Sequence, residues 1–90
     1  MMQIGDKIYL YYDARQFKHW VQAYKCEVSK ILKTGFKVKN LDEPDEYEDV
    51  ILKTDGTARG WNTITWSRED DHEAKGDYEY LRKRMEENDQ

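Results

Sequence analysis

Asp70-Asp71-His72-Glu73 is the densest run of metal-ligating and acid–base side chains in the sequence. Its carboxylates suit a hard cation, and an imidazole can serve as an acid or base. Adjacency argues against both uses, because four neighbours on a helix point in different directions whereas a ligand sphere needs side chains that converge. His19 lies in a stretch without regular pattern and does not complete a set. A solvated acidic face is the favoured reading. Cys26 falls in the apolar alternation Tyr24, Cys26, Val28, which predicts a buried, inert thiol rather than a nucleophile. There is no phosphate-binding glycine pattern, nucleophile elbow or HExxH. These residues predict a non-enzymatic protein with no catalytic residue, metal or cofactor.

Charge offers other chemistry. The net charge is −4, but residues 15–39 hold seven Lys or Arg against Glu27 alone, and residues 42–55 hold seven Asp or Glu against Lys53 alone. In the first segment the bases interleave with Phe17, Trp20, Tyr24 and Phe36, a pattern able to grip phosphates and stack bases. Lys30, Lys37 and Lys39 are its nucleic-acid candidates, although an isoelectric point near 5.1 opposes a polyanion unless the charges are segregated. In the second segment Asp45, Glu46 and Glu48 could imitate a phosphate backbone and fill the basic groove of a nucleic-acid enzyme. The plainer expectation is that folding sets the two segments on adjacent strands, where opposite charges pair. A protein partner is the leading expectation, with Trp20, Tyr47 and Trp61 as aromatic anchors.

These residues must be held by a small fold. Ninety residues give one domain with a modest core. A charged fraction of 38% and a mean hydropathy of −1.11 are offset by seven Tyr, three Trp and two Phe, so large rings in a polar coat are expected rather than disorder. One cysteine excludes an internal disulfide and fits a reducing compartment. No apolar run approaches the roughly 20 residues of a membrane span, and Met1 opens no leader-like segment. A cytoplasmic protein without membrane contact, monomeric or paired through a strand edge, is expected.

The elements follow from periodicity. Ile8, Leu10 and Tyr12 alternate with Tyr9 and Tyr11, which predicts a strand with core on one face and a neighbour or helix on the other. Residues 25–40 read as a hairpin turning at Thr34-Gly35, so that Lys33 faces Phe36 and Ile31 faces Val38; a change of apolar parity predicts a bulge near Ser29. Residues 47–53 read as a strand burying Val50 and Leu52, followed by a type I′ turn at Asp55-Gly56. The return strand runs from Thr57 towards Trp61, with residues 62–66 as its end or as a closing strand. Residues 1–66 are assigned to a bent antiparallel barrel and 67–90 to a charged segment packed on it. A cap at Ser67 or at Asp77, which follows Gly76, predicts a terminal helix over residues 77–87 with a preceding helical turn at residues 68–75 as an alternative, and an apolar stripe of Tyr78, Leu81 and Met85.

Through Gly5-Asp6-Lys7-Ile8-Tyr9 opening the first strand, the bulged hairpin at residues 28–38 and the Tyr-rich terminal helix, the chain resembles the small SH3-like β-barrel proteins of bacteriophages and mobile elements. The resemblance implies an SH3-like barrel of about five strands. It also implies a protein that acts in the host cytoplasm by binding a host component, and it assigns no site residue.

Overall fold

Alternation in the first strand sets the architecture. The computed structural model describes residues 2–13, 15 and 21–88. In it β1 (Lys7–Asp13), β2 (Val21–Leu32), β3 (Gly35–Asn40), β4 (Thr57–Ala58) and β5 (Trp61–Arg68) form one antiparallel sheet, and α1 (His72–Asn88) follows. The strand order is β3-β2-β1-β5-β4, so β1 is central and β3 and β4 are the edges. The sheet curls into a half-barrel around Ile8, Leu10, Cys26, Val28, Phe36, Leu52 and Ile64, all at most 1% exposed. On its outer face Tyr9 stacks on Tyr78 of α1 with ring centroids 4.6 Å apart. The Tyr11 hydroxyl donates to the Ala74 carbonyl at 3.1 Å. Both faces of β1 are therefore covered, as its aromatic alternation predicts.

The β2–β3 hairpin carries the predicted bulge, because the register slips between Val28 and Lys30 and leaves Ser29 outside the pairing. Its turn comes one residue earlier than expected. Leu32 pairs with Gly35 and Ile31 with Phe36, so the loop is Lys33-Thr34, and Val38 faces Val28 rather than Ile31. Gly35 is extended and serves proximity instead of turning. A Cβ there would lie 2.3 Å from the Leu52 carbonyl oxygen, well inside contact distance.

The strand expected over residues 47–53 is reduced to one residue. Leu52 bridges Phe36 on one side and Ala58 on the other, which joins the two edges of the sheet. The Phe36 amide donates to the Leu52 carbonyl at 2.9 Å and the Leu52 amide returns a bond to the Phe36 carbonyl at 2.8 Å. Before it the chain turns, with Asp45 at φ 76° and Tyr47 at φ 64°, which no continuous strand can accommodate. Val50 and Leu52 are nevertheless buried, as their pattern predicts. Trp66 pins the segment by donating its Nε1–H to the Lys53 carbonyl at 2.6 Å while its ring meets Phe36 edge-on at 5.0 Å.

The next turn is not type I′, since Gly56 adopts φ 90° and Asp55 has no positive φ. Instead the Gly56 amide closes on the Lys53 carbonyl at 3.1 Å, and the Asp55 carboxylate accepts from the Thr57 amide. Residues 61–68 then form the closing strand beside β1.

The helix begins earlier than residue 77. Asp71 caps it, its carboxylate accepting from the Glu73 and Ala74 amides at 3.0 and 3.2 Å. Ser67 remains in β5 and donates to the Tyr11 hydroxyl. Gly76 lies inside the helix because contact of Ala74 and Tyr78 with β1 outweighs its poor propensity. The stripe of Tyr78, Leu81 and Met85 is present and gains Ala74, 4% exposed.

Asp42 ties this helix to the hairpin. Its Oδ2 accepts from the Lys25 amide at 2.8 Å and from the Tyr78 hydroxyl at 2.7 Å, with Arg82 Nε at 4.0 Å. Two substitutions test these constraints by denaturant unfolding. Gly35→Ala should cost about 2 kcal/mol or more through the clash with Leu52, and a wild-type midpoint would contradict the close approach. Asp42→Ala should cost about 2–3 kcal/mol because a charged acceptor shared by two donors is lost. A loss below about 0.5 kcal/mol, as for an ordinary surface residue, would contradict its role.

Candidate binding surfaces

The hairpin of β4 and β5 builds the first surface. Ala58 pairs with Trp61 across Arg59-Gly60, where Gly60 at φ 76° makes the turn. The next pair is Thr57 with Thr65, so Asn62, Thr63 and Ile64 have no partner on β4. Trp61 remains 46% exposed at this irregularity. It borders a cleft of about 540 Å³ lined with Thr57, Ala58, Asn62, Ile64 and Thr65. Asn62 and Thr65 also line a second groove, of about 490 Å³, between the outer face of the sheet and α1. Tyr80, 57% exposed, and Leu81 form its helical wall, with Tyr11 and Thr63 opposite. Sequence reasoning missed Tyr80. Its signal is an aromatic lying off the helix's Tyr78, Leu81 and Met85 stripe.

The other proposed anchors differ. Tyr47 is half-buried, and its ring packs on Tyr24 at 5.3 Å and Tyr12 at 6.1 Å, so it extends the core. Trp20 lies outside the described residues, as do Phe17 and His19.

The second surface is the outer face of β2 and β3. The register sets Lys30 directly opposite Lys37, and Lys39 lies two residues further along β3 on the same face. The structure thus brings together the three lysines singled out from the sequence. Glu27 stands opposite Lys39, but its carboxylate is held by Lys7 at 2.7 Å. That pair pushes the Glu27 carboxyl below its ordinary range, mainly through the Lys7 hydrogen bond. Tyr24 and Phe36, expected to offer stacking faces beside these lysines, point into the core at 4% and 1% exposure.

Asp45, Glu46 and Glu48 are exposed in the turns of residues 43–49. Asp42 is withdrawn from this acidic stretch by its bonds to Lys25 and Tyr78. The expected pairing of the basic and acidic segments does not occur among the described residues, whose ion pairs are Lys7–Glu27, Arg15–Asp13, Lys25–Glu69 and Arg82–Asp42. Residues 42–49 form turns, so they supply no strand beside the basic hairpin.

Asp70, Asp71, His72 and Glu73 do not converge: Asp71 is spent on the helix cap, and no group of three or more metal-ligating side chains occurs among the described residues. Cys26 is fully buried, and burial, reinforced by the charge of Asp42, pushes its thiol up to about 12. No helix among the described residues is long and apolar enough to cross a membrane. Comparisons of the chain with protein-family models, curated proteins and solved structures give no match in any of the three.

The buried rings make stability sensitive to alkali. Burial raises the hydroxyl pKa values of Tyr9, Tyr11, Tyr24, Tyr47 and Tyr78 as well as that of the Cys26 thiol. In the unfolded chain these groups lose protons near about pH 9–10, whereas the fold retains them, so their contribution is complete below that range and declines as pH rises from it towards the raised values of the folded state. The urea midpoint should be level up to about pH 8 and fall steadily towards about pH 11. A midpoint that rises over that interval would contradict the burial of these groups.

Proposed function

We propose that the protein is a small non-enzymatic binding module that docks another protein at the cleft beside Trp61. One observation carries this reading: Trp61 keeps nearly half its surface in water beside three residues of β5 that lack a partner on β4. A tryptophan on a rigid strand brings large contact area at little entropic cost. Strand backbone left open at its side can accept an extended segment by main-chain hydrogen bonds. The occupant is an extended protein segment with an apolar side chain that enters the cleft against the indole. The likeness to bacteriophage barrel proteins makes that partner a host protein and the host cytoplasm the place of action. Whether the module works as a monomer or a homodimer does not alter this contact.

Affinity capture from nuclease-treated bacterial lysate, with wild type and Trp61→Ala side by side, tests the proposal. Wild type should retain a protein after nuclease, and binding of that purified protein should weaken about 30-fold in Trp61→Ala at unchanged melting temperature. Equal affinity for both forms, or capture that disappears with nuclease, would overturn it.

A further inference from the structure

The opposed lysines of the β2–β3 hairpin are an unfavourable feature of the fold taken alone. Lys30 and Lys37 face each other across an antiparallel pair, where like charges repel. Among the described residues no ion pair includes Lys30, Lys33, Lys37, Lys39 or Lys53. Glu27, the nearest acid by register, is engaged by Lys7 on the far side of β2. Glu27 offsets the charge of Lys39 in part, but no ion pair among the described residues relieves the opposition of Lys30 and Lys37.

We infer that the outer face of β2 and β3 binds the phosphate backbone of a nucleic-acid duplex through Lys30, Lys37 and Lys39. Opposed residues lie about 5.5 Å apart at Cα and alternate residues about 6.8 Å apart along a strand, so three flexible stems reach separate phosphates on a backbone that advances about 3.4 Å per nucleotide. Lys33 in the turn and Lys53, next to the Leu52 that is bonded to Phe36, add positive charge at the same end of the barrel. Tyr24 and Phe36 are buried behind this face and offer no ring to unstacked bases. Charge without stacking surfaces suits a duplex, whose bases already stack on one another, better than a single strand. Contacts confined to phosphates carry no sequence information. The net charge of −4 does not prevent this, because the exposed acids Asp45, Glu46 and Glu48 lie in the turns that follow β3 and not on the two strands that carry the lysines. This surface is distinct from the Trp61 cleft and goes beyond protein docking.

Fluorescence anisotropy with two short DNA duplexes of unrelated sequence, a single strand and phosphatidylserine vesicles tests the inference. Both duplexes should bind wild type equally and better than the single strand or the vesicles, with log K falling against log salt at a slope of about −3 for three phosphates. The Lys30→Gln, Lys37→Gln, Lys39→Gln triple variant should lose binding and with it the salt slope. Lys30→Glu alone sets a carboxylate opposite Lys37, so it should weaken duplex binding at least tenfold while raising the melting temperature. Absence of duplex binding at low salt, undiminished binding by the triple variant, preference for the single strand or the vesicles, or a lowered melting temperature in Lys30→Glu would each overturn it.

Discussion

Closure of the sheet depends on one residue. Leu52 is held between Phe36 of β3 and Ala58 of β4, so the two edges of a five-stranded curl meet without a sixth strand. The reciprocal bonds with Phe36 place backbone polar groups that would otherwise face an open edge. They require Gly35, because any side chain there would strike the Leu52 carbonyl. Both candidate surfaces hang from this contact. Phe36 belongs to the hairpin that presents the lysines, and Ala58 pairs with Trp61.

A second constraint is electrostatic. Asp42 begins the acidic stretch in sequence yet works inside the fold, where it joins the β2 backbone, the Tyr78 hydroxyl and, more distantly, Arg82. Asn40 prepares it: the buried amide oxygen accepts from the Asp42 and Glu43 amides at 3.0 and 2.9 Å and turns the chain back across the end of the hairpin. The acids that follow remain exposed, and no ion pair among the described residues joins them to Lys30, Lys37 or Lys39. The basic and acidic segments visible along the sequence are thus not paired with each other by any ion pair among the described residues.

Much of the fold was legible because it rests on local periodicity. The two faces of β1, the bulge at Ser29, the burial of Cys26, Val50 and Leu52 and the helical stripe all follow from spacing. The misreadings share a cause. Gly35 looked like a turn residue and is a point of close approach; Gly76 looked like a helix boundary and is carried inside α1 by the packing of Ala74 and Tyr78 on β1. In each case a contact distant in sequence decided the local conformation. The lysine face was legible, since strand alternation alone groups Lys37 with Lys39, but the direct opposition of Lys30 and Lys37 needed the true register. The exposure of Trp61 was not legible, because it depends on where β4 stops pairing with β5. Tyr47, equally plausible as an anchor, is turned into the core by its neighbours Tyr12 and Tyr24.

Native-state hydrogen exchange at the Leu52 and Phe36 amides tests the central claim directly, since those two groups form the β3 side of the closure, while the Lys53 amide to the Thr57 carbonyl and the Arg59 amide to the Ile51 carbonyl form its β4 side. If the contact holds the barrel, both amides exchange only through global unfolding, with the same free energy as the amides of β1. Exchange of Leu52 at the rate of the exposed turns around Glu46, with β1 still protected, would show that the edges are not joined and that the two surfaces move independently.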